Sequence, residues 1–464
     1  MNGATAVSGA VVRDSARNRR NGFLGAYLGW MFDGYETFAT VLVAASVVED
    51  LVGVGSSRAH PLYIGGILAA TLVAWAFGGL ISGVLADRFG RSRVMLYSIL
   101  WYALFAGLTA IAPSYALLLV FRFLTGLGMG AEWGAGSSLV SELADPRRRG
   151  FRIALLQSGF GVGFLIATGL WQVINNGNPG DWRWMYLIGV VPALLTVYLR
   201  RSVKDSEMWS DADKQRRAAE QRVADGEDAT EVERTLARPT IRQLLDNPSY
   251  RKQAGVLLIG ALATTLGWWA VSTWIPQFAG SKLVGRVSNI PDTVTLVVVS
   301  YNFAGVLGYL AMGVLADRFG RKPTIFAYFA ASLAMTPVFF LLGKSEATLI
   351  ILAFINGFFT LGQWTWLALY PSEVFPTQIR ATAMTVVFNT ARFAAAAGAM
   401  LAATLIDAFG SISTAAIVIG CVGYAAGMLI APFIGPETRA KPLPGAGAEV
   451  RRTESPVGVG LTGA

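Results

Sequence analysis

Along most of the chain, long apolar stretches alternate with short polar ones. A helix needs about 20 mostly apolar residues to cross the hydrocarbon core of a bilayer. The dyad alternation that is typical of membrane β-strands does not occur, so the pattern predicts an all-α integral membrane protein. Twelve transmembrane helices are predicted, at residues 23–48, 61–86, 93–112, 115–141, 151–174, 183–200, 253–279, 293–316, 323–343, 347–371, 380–406 and 412–434.

The composition agrees with a membrane protein and excludes two other classes. Of the 464 residues, 54% are hydrophobic and only 14% are charged, whereas about 25% are charged in a typical soluble domain. An ordinary soluble enzyme and a disordered chain are therefore excluded. The single cysteine, Cys421, and the single histidine, His60, exclude a disulfide framework and disfavour a thiolate or imidazole metal site. The sequence predicts no metal and no cofactor.

The positions of lysine and arginine indicate the orientation in the membrane. If the N-terminus is cytoplasmic, most of the 38 Lys and Arg residues fall in cytoplasmic tails and loops, as the positive-inside rule requires. The formal charge of +9 then needs no nucleic acid partner. An even number of spans makes both termini cytoplasmic, and we predict a multi-pass protein of the cell (inner or plasma) membrane. The few basic residues of the outer loops are Arg58, Arg183, Lys282, Arg286 and Lys344.

One sequence of nine residues, Gly-Val-Leu-Ala-Asp-Arg-Phe-Gly-Arg, occurs at 83–91 and again at 313–321. Each copy ends the second span of its half, so the chain is predicted to contain two homologous six-helix halves. Such repeats are typical of secondary transporters, whose substrate sites lie between the halves near the membrane midplane. The predicted organisation is a cytoplasmic tail at 1–22, a first half at 23–201, a cytoplasmic linker at 202–250, a second half at 251–434 and a disordered tail at 435–464.

Acidic and basic residues recur at equivalent places in the two halves. The repeat supplies an Asp and two Arg residues, and a Glu with a following Arg comes after the fourth and the tenth span. We predict that these groups form a charge network that closes the cytoplasmic side and opens as the halves rock; the alternative is static anchoring by loop charges. The predicted gating residues are Asp87, Arg88, Arg91, Glu142, Arg149, Asp317, Arg318, Arg321, Glu373 and Arg380.

Both copies of the repeat resemble the loop signature of the major facilitator superfamily. The stretches Arg122-Phe-Leu-Thr-Gly-Leu-Gly-Met-Gly130 and Pro371-Ser-Glu-Val-Phe-Pro-Thr-Gln-Ile-Arg380 are similar to motifs of its sugar-porter and metabolite:proton symporter branches. The stretch 436–438, Pro-Glu-Thr, resembles the sugar-porter end motif. The resemblance covers nearly the whole chain. It implies the major facilitator fold, with two six-helix pseudo-repeats and transport by alternating access.

Charged residues inside predicted spans are costly and usually functional. Asp33 and Glu36 share a face of the first span, and two nearby carboxylates at low dielectric favour protonation of one of them, as a proton carrier requires. Glu36 falls where sugar porters carry a proton-coupling Asp, whereas the doubled acid resembles the paired acids of organic-acid symporters. The alternative is a structural carboxylate paired with Arg122. Glu132 in span four is the third candidate for proton coupling. It could relay protons, pair with Arg392, or belong to a polar network that only packs the helices.

The predicted substrate site combines arginine, amide and aromatic side chains. Arg122 is expected to pair with a first-span acid, as the matching Arg of sugar porters does. Arg392, which shares a helix face with Asn389, presents a planar donor fork suited to a carboxylate; a helix-packing salt bridge is the alternative. Gln157 matches a sugar-contact Gln, with a packed interhelical amide as the alternative. The predicted substrate-binding residues are Arg122, Gln157, Asn389, Arg392, Tyr301 and Trp269; the last two belong to an aromatic cluster for which core packing is the alternative.

Span seven departs from the sugar-porter pattern. Sugar porters carry a glutamine pair and a Gly-x-Asn there for hydroxyl contacts, whereas this chain has Ala263-Thr264 and Gly267-Trp268-Trp269. Together with Arg392 and the doubled acid, this difference predicts an anionic substrate.

The leading hypothesis is a proton-coupled symporter that imports a small organic acid anion, with an aromatic carboxylate among the candidates. Its partners are the anion, the proton and the lipid bilayer, and a monomer is expected. The alternatives are a proton-coupled sugar or polyol symporter and, less favoured, a proton-driven exporter of drug-like compounds. An intramembrane enzyme or receptor is disfavoured, because the sequence has no paired metal ligands, Ser-His arrangement or nucleotide-binding loop.

Overall fold

A computed structural model of the chain describes residues 15–53, 60–192, 194, 202–287 and 289–445, and the regular structure in these ranges is helical. Short 3-10 segments at Thr377–Ile379 and Ala431–Phe433 accompany the longer helices. The α-helices are α1 (Ala16–Val52), α2 (His60–Phe89), α3 (Arg91–Ala110), α4 (Tyr115–Leu143), α5 (Arg149–Ile174), α6 (Trp182–Ile188), α7 (Glu207–Ala224), α8 (Glu231–Leu236), α9 (Thr240–Asp246), α10 (Pro248–Ser272), α11 (Ile275–Leu283), α12 (Ile290–Phe319), α13 (Arg321–Leu342), α14 (Glu346–Gly362), α15 (Thr365–Val374), α16 (Arg380–Phe409) and α17 (Ile412–Ile430).

Within the described ranges, nine helical spans are long and apolar enough to cross a membrane. Two of them are interrupted, where the sequence predicted continuous helices: α10 gives way to α11 at Thr273–Trp274, and α14 gives way to α15 at Gln363–Trp364. Pro276 in the first turn of α11 explains the first interruption, because proline starts a helix well but cannot continue one. Predicted span six, at 183–200, runs at its C-terminal end into residues outside the described ranges, and twelve spans and their orientation stay predictions.

The repeated nine-residue sequence forms the same tight turn twice, at one end of the helix bundle. Gly90 between α2 and α3 has a φ of 109°, and Gly320 between α12 and α13 has a φ of 106°, values that glycine adopts at little cost. The next helix therefore starts at once, and its first residue, Arg91 or Arg321, is fully buried. We call this the charged end of the bundle; linker helix α7 also contacts it.

Two seams join the N-terminal helices to the C-terminal ones, since α2 packs along α16 and α5 packs along α12. Small residues allow this close approach. A Cβ on Gly83 would lie 2.0 Å from Oγ1 of Thr385, and one on Gly313 would lie 2.5 Å from the carbonyl oxygen of Gly150. Membrane helices commonly associate through small residues in this way. The α2–α16 seam also carries part of the central site described below.

Residues 436–444 cross the charged end, which differs from the disordered tail that the sequence predicted there. The carbonyl oxygen of Lys441 accepts a hydrogen bond from Arg149 (3.2 Å), and that of Pro444 accepts one from Arg380 (3.0 Å). The prediction rested on Gly and Pro content, which says nothing about backbone carbonyls that satisfy buried arginines. We call residues 436–444 the C-terminal strap; the rest of the predicted tail lies outside the described ranges.

Candidate functional site

Two clusters of buried ion pairs lie at the charged end of the bundle. In the first cluster Arg91 bridges Asp87 (3.0 Å) and Glu142 (3.1 Å), and Glu142 also pairs with Arg380 (2.7 Å). All four side chains are buried. Because Arg380 begins α16 and the other three lie in α2, α3 and α4, this cluster connects the C-terminal helices to the N-terminal ones.

The second cluster repeats the first with the two groups of helices exchanged. Arg321 bridges Asp317 (2.8 Å) and Glu373 (2.7 Å), and Glu373 also pairs with Arg149 (3.1 Å). Here Arg149 begins α5 and the other three lie in C-terminal helices. Removing one partner of a buried ion pair leaves an uncompensated charge, so both clusters favour the arrangement in which the two groups of helices are joined at this end.

The repeated Asp of each cluster also binds the first turn of a helix across the interface. Asp87 accepts a hydrogen bond from the N–H of Thr382 in α16 (2.8 Å), and Asp317 accepts one from the N–H of Phe151 in α5 (2.9 Å). The first N–H groups of a helix lack partners within it and form the positive end of its dipole. A carboxylate is therefore well suited to hold each helix start.

Arg88 and Arg318 take no part in these clusters, although the sequence placed both in the gating network. Arg88 is largely exposed and lies 3.9 Å from Glu220 of linker helix α7, and Arg318 lies over the ring of Phe319, 5.3 Å from its centre. The physical reason is the glycine turn. Both arginines precede it and face outward, whereas the arginine that follows it turns into the bundle.

A short acid–hydroxyl pair fastens the first cluster to the linker. Asp205 accepts a hydrogen bond from the N–H of Ser92 at the start of α3 (2.7 Å), and the Ser206 hydroxyl donates to Glu142. Burial raises the pKa of Asp205, and the Ser92 N–H opposes this shift. Sequence reasoning missed this pair, because an acid and a serine in a polar linker form no distinctive pattern.

The C-terminal strap repeats this arrangement at the second cluster. Glu437 accepts a hydrogen bond from the N–H of Arg321 at the start of α13 (2.9 Å), and the Thr438 hydroxyl donates to Glu373 (2.6 Å). Burial alone would raise the pKa of Glu437, but several backbone N–H groups outweigh it and the pKa is lowered. The stretch that resembles the sugar-porter end motif therefore binds the second cluster at the charged end. Asp205 and Ser206 of the linker bind the first cluster in the same way.

Replacing Asp87 or Asp317 with asparagine is expected to slow transport while substrate still binds. The change makes the acceptor of these hydrogen bonds neutral, and a hydrogen bond to a charged group contributes about 1.5–3 kcal/mol. The arrangement in which the charged end is closed is therefore less stable relative to an open one. The measurement compares the uptake rate in proteoliposomes with the Kd in detergent. The control is Asp211→Asn, which changes an exposed acid of linker helix α7. Uptake by the Asp87 and Asp317 variants at the control's rate would contradict the prediction.

A separate group of charged side chains lies buried midway along α1, α4 and α16. Glu36 and Arg122 form an ion pair of 2.9 Å, and both are fully buried. The guanidinium group lies over the ring of Tyr186, 5.0 Å from its centre. The expected contact between Arg122 and a first-span acid is thus present, with Glu36 as the partner. A Cβ on Gly189 would lie 1.7 Å from Oε1 of Glu36, so a larger residue there would displace this carboxylate.

Asp33 and Glu132 are buried near this pair without such a partner. They are 0% and 1% exposed, and their carboxylate oxygens have no hydrogen-bond partner among the described residues. Glu132 reaches α1, where a Cβ on Gly29 would lie 2.4 Å from its Oε1. The Tyr102 hydroxyl, equally buried and unpartnered within those ranges, is close enough to interact with both acids electrostatically. Buried polar atoms are nearly always hydrogen-bonded, so these groups mark a candidate binding site.

Arg392 of α16 belongs to the same group of side chains. Its guanidinium lies 3.9 Å from the ring centre of Trp75 and 4.7 Å from that of Phe388. Asp33 interacts with it electrostatically, but Arg392 forms no salt bridge in the described part of the chain. Neither a helix-packing salt bridge nor the pair with Glu132 is therefore present there. The central cluster is defined here as Asp33, Glu36, Arg122, Glu132 and Arg392.

Amide side chains lie beside the central cluster. Asn389 has neither amide atom hydrogen-bonded within the described ranges, and a Cβ on Gly79 of α2 would collide with it. Gln157 accepts a hydrogen bond from the indole N–H of Trp133 (3.1 Å) and donates to the carbonyl of Trp364 (3.5 Å). In this arrangement Gln157 is a packed interhelical amide, whereas Asn389 has both groups available for a ligand.

The two predicted aromatic residues are further removed from the charges. The hydroxyl groups of Tyr301 and Thr360 are hydrogen-bonded to each other (2.7 Å). Trp269 packs edge-on against Trp268 (ring centres 5.2 Å apart), which packs against Trp364 (5.3 Å). Among the described residues, a chain of ring contacts leads from Trp269 through Trp268 and Trp364 to Phe388, which contacts Arg392.

Other aromatic side chains, which sequence reasoning did not assign to the site, surround the cluster. Trp30 packs against Trp75, Trp133 and Phe160, with ring centres 6.2, 6.1 and 4.8 Å apart. Trp133 also stacks on Phe388, with ring centres 3.8 Å apart. Each ring is an ordinary apolar residue of its own span. The sequence of a single span does not show which residues of other spans it contacts. It therefore could not show that rings from five helices meet around Arg392.

The central cluster has the chemistry to bind an anion and a proton together. A buried guanidinium offers a carboxylate paired, charge-assisted hydrogen bonds. A buried carboxylate without a counter-charge favours its protonated form. The surrounding rings provide flat apolar surface for the rest of a small molecule.

The sequence matches the family described as "Sugar (and other) transporter" over residues 23–448. The chain is 31% identical over 374 residues to a "Probable 4-methylmuconolactone transporter" of Cupriavidus pinatubonensis, covering 80% of each protein. It is 29% identical over 371 residues to a niacin transporter of Acinetobacter baylyi, covering 76% of this chain and 80% of that protein. The fold is similar to that of the proton:xylose symporter XylE, with a TM-score of 0.71 at 20% identity, covering 92% of this chain and 98% of the other.

Proposed function

Because the chain belongs to the sugar (and other) transporter family of the major facilitator superfamily, we propose that it imports a small organic acid anion together with a proton. The chain is a multi-pass membrane transporter of a small organic molecule and is not an enzyme. The finer proposal is symport of an unsaturated or aromatic carboxylate by a monomer in the inner or plasma membrane. The charged end faces the cytoplasm in this proposal.

The observation that carries the proposal is the environment of Arg392. This buried guanidinium lies between the rings of Trp75 and Phe388 and has no salt-bridge partner in the described residues. A buried cation without a counter-charge is unfavourable, and a substrate carboxylate supplies that charge. The two rings then contact the flat part of the substrate.

The relatives support an acid over a sugar. One similar protein is named for niacin, a pyridine carboxylate, and another for a methylmuconolactone, which carries a carboxymethyl group on an unsaturated lactone ring. The likeness to the xylose symporter concerns the fold alone. Gly267-Trp268-Trp269 offers indole rings where a sugar would need amide groups. A sugar or polyol substrate is therefore the weaker candidate.

The two ion-pair clusters support alternating access. They link the two groups of helices at the charged end, so in this arrangement the site is closed from the proposed cytoplasmic side. In the proposed cycle, loading of the central site leads to rocking about the α2–α16 and α5–α12 seams. The clusters then separate, and substrate and proton leave to the cytoplasm.

The test uses proteoliposomes with a pH-sensitive dye inside. Benzoate, nicotinate, 4-hydroxybenzoate, cis,cis-muconate, gluconate, xylose and sorbitol are added one at a time. Acidification of the lumen by an aromatic or unsaturated monocarboxylate, and none by xylose or sorbitol, is expected. Protein-free liposomes and liposomes with Arg392→Ala are the controls, because neutral acids also cross lipid unaided. Acidification by xylose or sorbitol alone would replace the proposal with the sugar alternative, and no signal from any compound would reject proton symport of these solutes.

A further inference from the structure

We propose that a groove on the lipid-facing side of the helix bundle binds one phospholipid with an anionic headgroup. The groove lies between α2, α3 and α4 and has a volume of about 740 Å³, within the range of sites that hold small molecules. The lipid phosphate contacts Arg93, and an acyl chain lies along the groove. None of the five residues of the central cluster lines this groove, so the inference does not depend on the transported substrate.

Large apolar side chains form the walls of the groove and face outward from three membrane spans. Ile81 of α2 is 57% exposed and Trp101 of α3 is 45% exposed. Two polar side chains of the groove already donate to the backbone: the Ser82 hydroxyl to the carbonyl of Gly79 (3.0 Å), and the Trp101 indole N–H to that of Leu124 (2.9 Å). The groove therefore offers an apolar surface, against which an acyl chain of the bilayer packs.

The groove has about the length of one leaflet and begins at the charged end. The α2 helix rises about 16 Å from Gly78 to Phe89, both of which line the groove, and half of the hydrocarbon core measures about 15 Å. Phe89 comes directly before the glycine turn, and Arg93 lies in the first turn of α3 directly after it. The groove therefore runs from the charged end to about the middle of the membrane.

Arg93 is available to bind an anion at the charged end of the groove. Its side chain is exposed and forms no salt bridge with another described residue. Two acids of this end are bound elsewhere, since Glu142 binds Arg91 (3.1 Å) and Asp205 accepts a hydrogen bond from the N–H of Ser92 (2.7 Å). A guanidinium binds phosphate oxygens through paired, charge-assisted hydrogen bonds. A zwitterionic headgroup brings a cation of its own beside the guanidinium, so an anionic headgroup is favoured.

The repeat allows the same place to be compared in the second half of the chain. The helices pack alike there, because a Cβ on Gly78 would lie 2.0 Å from the carbonyl oxygen of Leu127, and one on Gly308 would lie 1.9 Å from that of Phe358. These two contacts fix which residues of α12 and α14 correspond to those of α2 and α4. The repeated nine-residue sequence does the same for α13 and α3.

Aromatic rings occupy the corresponding space in the second half. Tyr328 and Phe359, which pack edge-on with ring centres 5.6 Å apart, correspond to Ser98 and Gly128 of the groove. Pro323 corresponds to the arginine of the groove. The cavity and the basic residue thus occur together in the first half, whereas the second half has rings and a proline. This difference supports a ligand that needs both the cavity and the charge.

The test is native mass spectrometry of the delipidated full chain in detergent. The protein is given an equimolar mixture of phosphatidylglycerol, which is anionic, and phosphatidylcholine with the same acyl chains, which is zwitterionic. The unmodified protein is expected to retain one phospholipid and to prefer phosphatidylglycerol. Equal retention of the two lipids, or retention of neither, would overturn the inference. Displacement of phosphatidylglycerol by excess glycerol 3-phosphate would also overturn it, because the headgroup alone would then be the ligand.

Two matched variants test the role of the arginine. Arg93→Gln is expected to lower the ratio of bound phosphatidylglycerol to bound phosphatidylcholine about fivefold, the equivalent of about 1 kcal/mol for one basic residue near a membrane surface. Arg318→Gln is the control, because Arg318 is exposed at the same end but does not line the groove, and the ratio should stay unchanged. An equal fall in both variants, or an unchanged ratio in Arg93→Gln, would reject Arg93 as the headgroup site.

A third variant tests the groove itself. Ala131 is half-buried and lines the groove, so the ring of Ala131→Phe takes the space of the acyl chain. This variant is expected to retain neither lipid, with folding checked by thermal unfolding. Retention of phosphatidylglycerol at the unmodified level would mean that the lipid binds elsewhere. If Ala131→Phe does not fold, Arg93→Gln decides the inference alone, because it changes an exposed side chain.

Discussion

Replacing Arg392 with alanine is expected to weaken the binding of a carboxylate substrate by about 1.5–3 kcal/mol, the range for a hydrogen bond to a charged group. That loss corresponds to a Kd about 10- to 150-fold higher. The reason is that Arg392 is the one guanidinium of the central cluster without a carboxylate partner in the described chain. The Kd can be measured by titration calorimetry or by scintillation proximity with a radiolabelled acid.

Arg392→Lys is the matched control for this prediction. Lysine keeps the charge but loses the planar donor fork and the stacking on Trp75 and Phe388. An affinity between those of the unmodified protein and Arg392→Ala is expected. If the alanine variant binds benzoate or nicotinate as tightly as the unmodified protein does, Arg392 is not the carboxylate site.

Replacing Glu36 with glutamine is expected to cost about 3–5 kcal/mol of unfolding free energy, the usual effect of removing one partner of a buried ion pair. The glutamine leaves Arg122 charged and fully buried, with Nε and Nη2 already unpartnered among the described residues. The measurement is thermal unfolding of the purified protein in detergent. Asp33→Asn is the control on the same helix, and it should lower the melting temperature less, because Asp33 forms no salt bridge with a described residue.

The double variant Glu36→Gln with Arg122→Met tests the cause of this loss. Removing both charges replaces the ion pair with groups that need no counter-charge, so most of the lost stability should return. A double variant that melts as low as Glu36→Gln alone would mean that the carboxylate acts through packing. An unchanged melting temperature in Glu36→Gln would mean that the ion pair contributes little to the fold.

The helical class and the family were predictable from the sequence because both depend on local signals. Apolar stretches of membrane length occur in series, and nine identical residues recur with their Gly, Asp and Arg in register. The interruption at Gln363–Trp364 was not predictable, since both flanking segments remain apolar and no proline marks the break. The C-terminal strap was missed for a related reason. Part of it is held by backbone carbonyls, which every residue has, and the contacts of Glu437 and Thr438 depend on where the strap lies.

The central site was predictable only in part. Asp33, Glu36 and Arg392 were evident as charges inside apolar spans, and the partner of Arg122 was narrowed to two acids. The direction of the side chains on two different helices decides which acid pairs with Arg122. Sequence spacing does not determine that direction. The rings around Arg392 were not predicted, because the order of residues in separate spans says little about which faces meet.

The two repeated Asp residues at the charged end accept hydrogen bonds from backbone N–H groups, and this makes the transport cycle observable by hydrogen–deuterium exchange. The first amides of α5 and α16 have no partner inside their own helices, so they depend on Asp317 and Asp87 for protection. In the proposed cycle they become exchangeable each time the charged end opens, whereas amides deeper in the same helices are expected to stay protected. Their deuterium uptake therefore counts opening events in unlabelled protein, and a transported substrate that speeds the cycle should raise it.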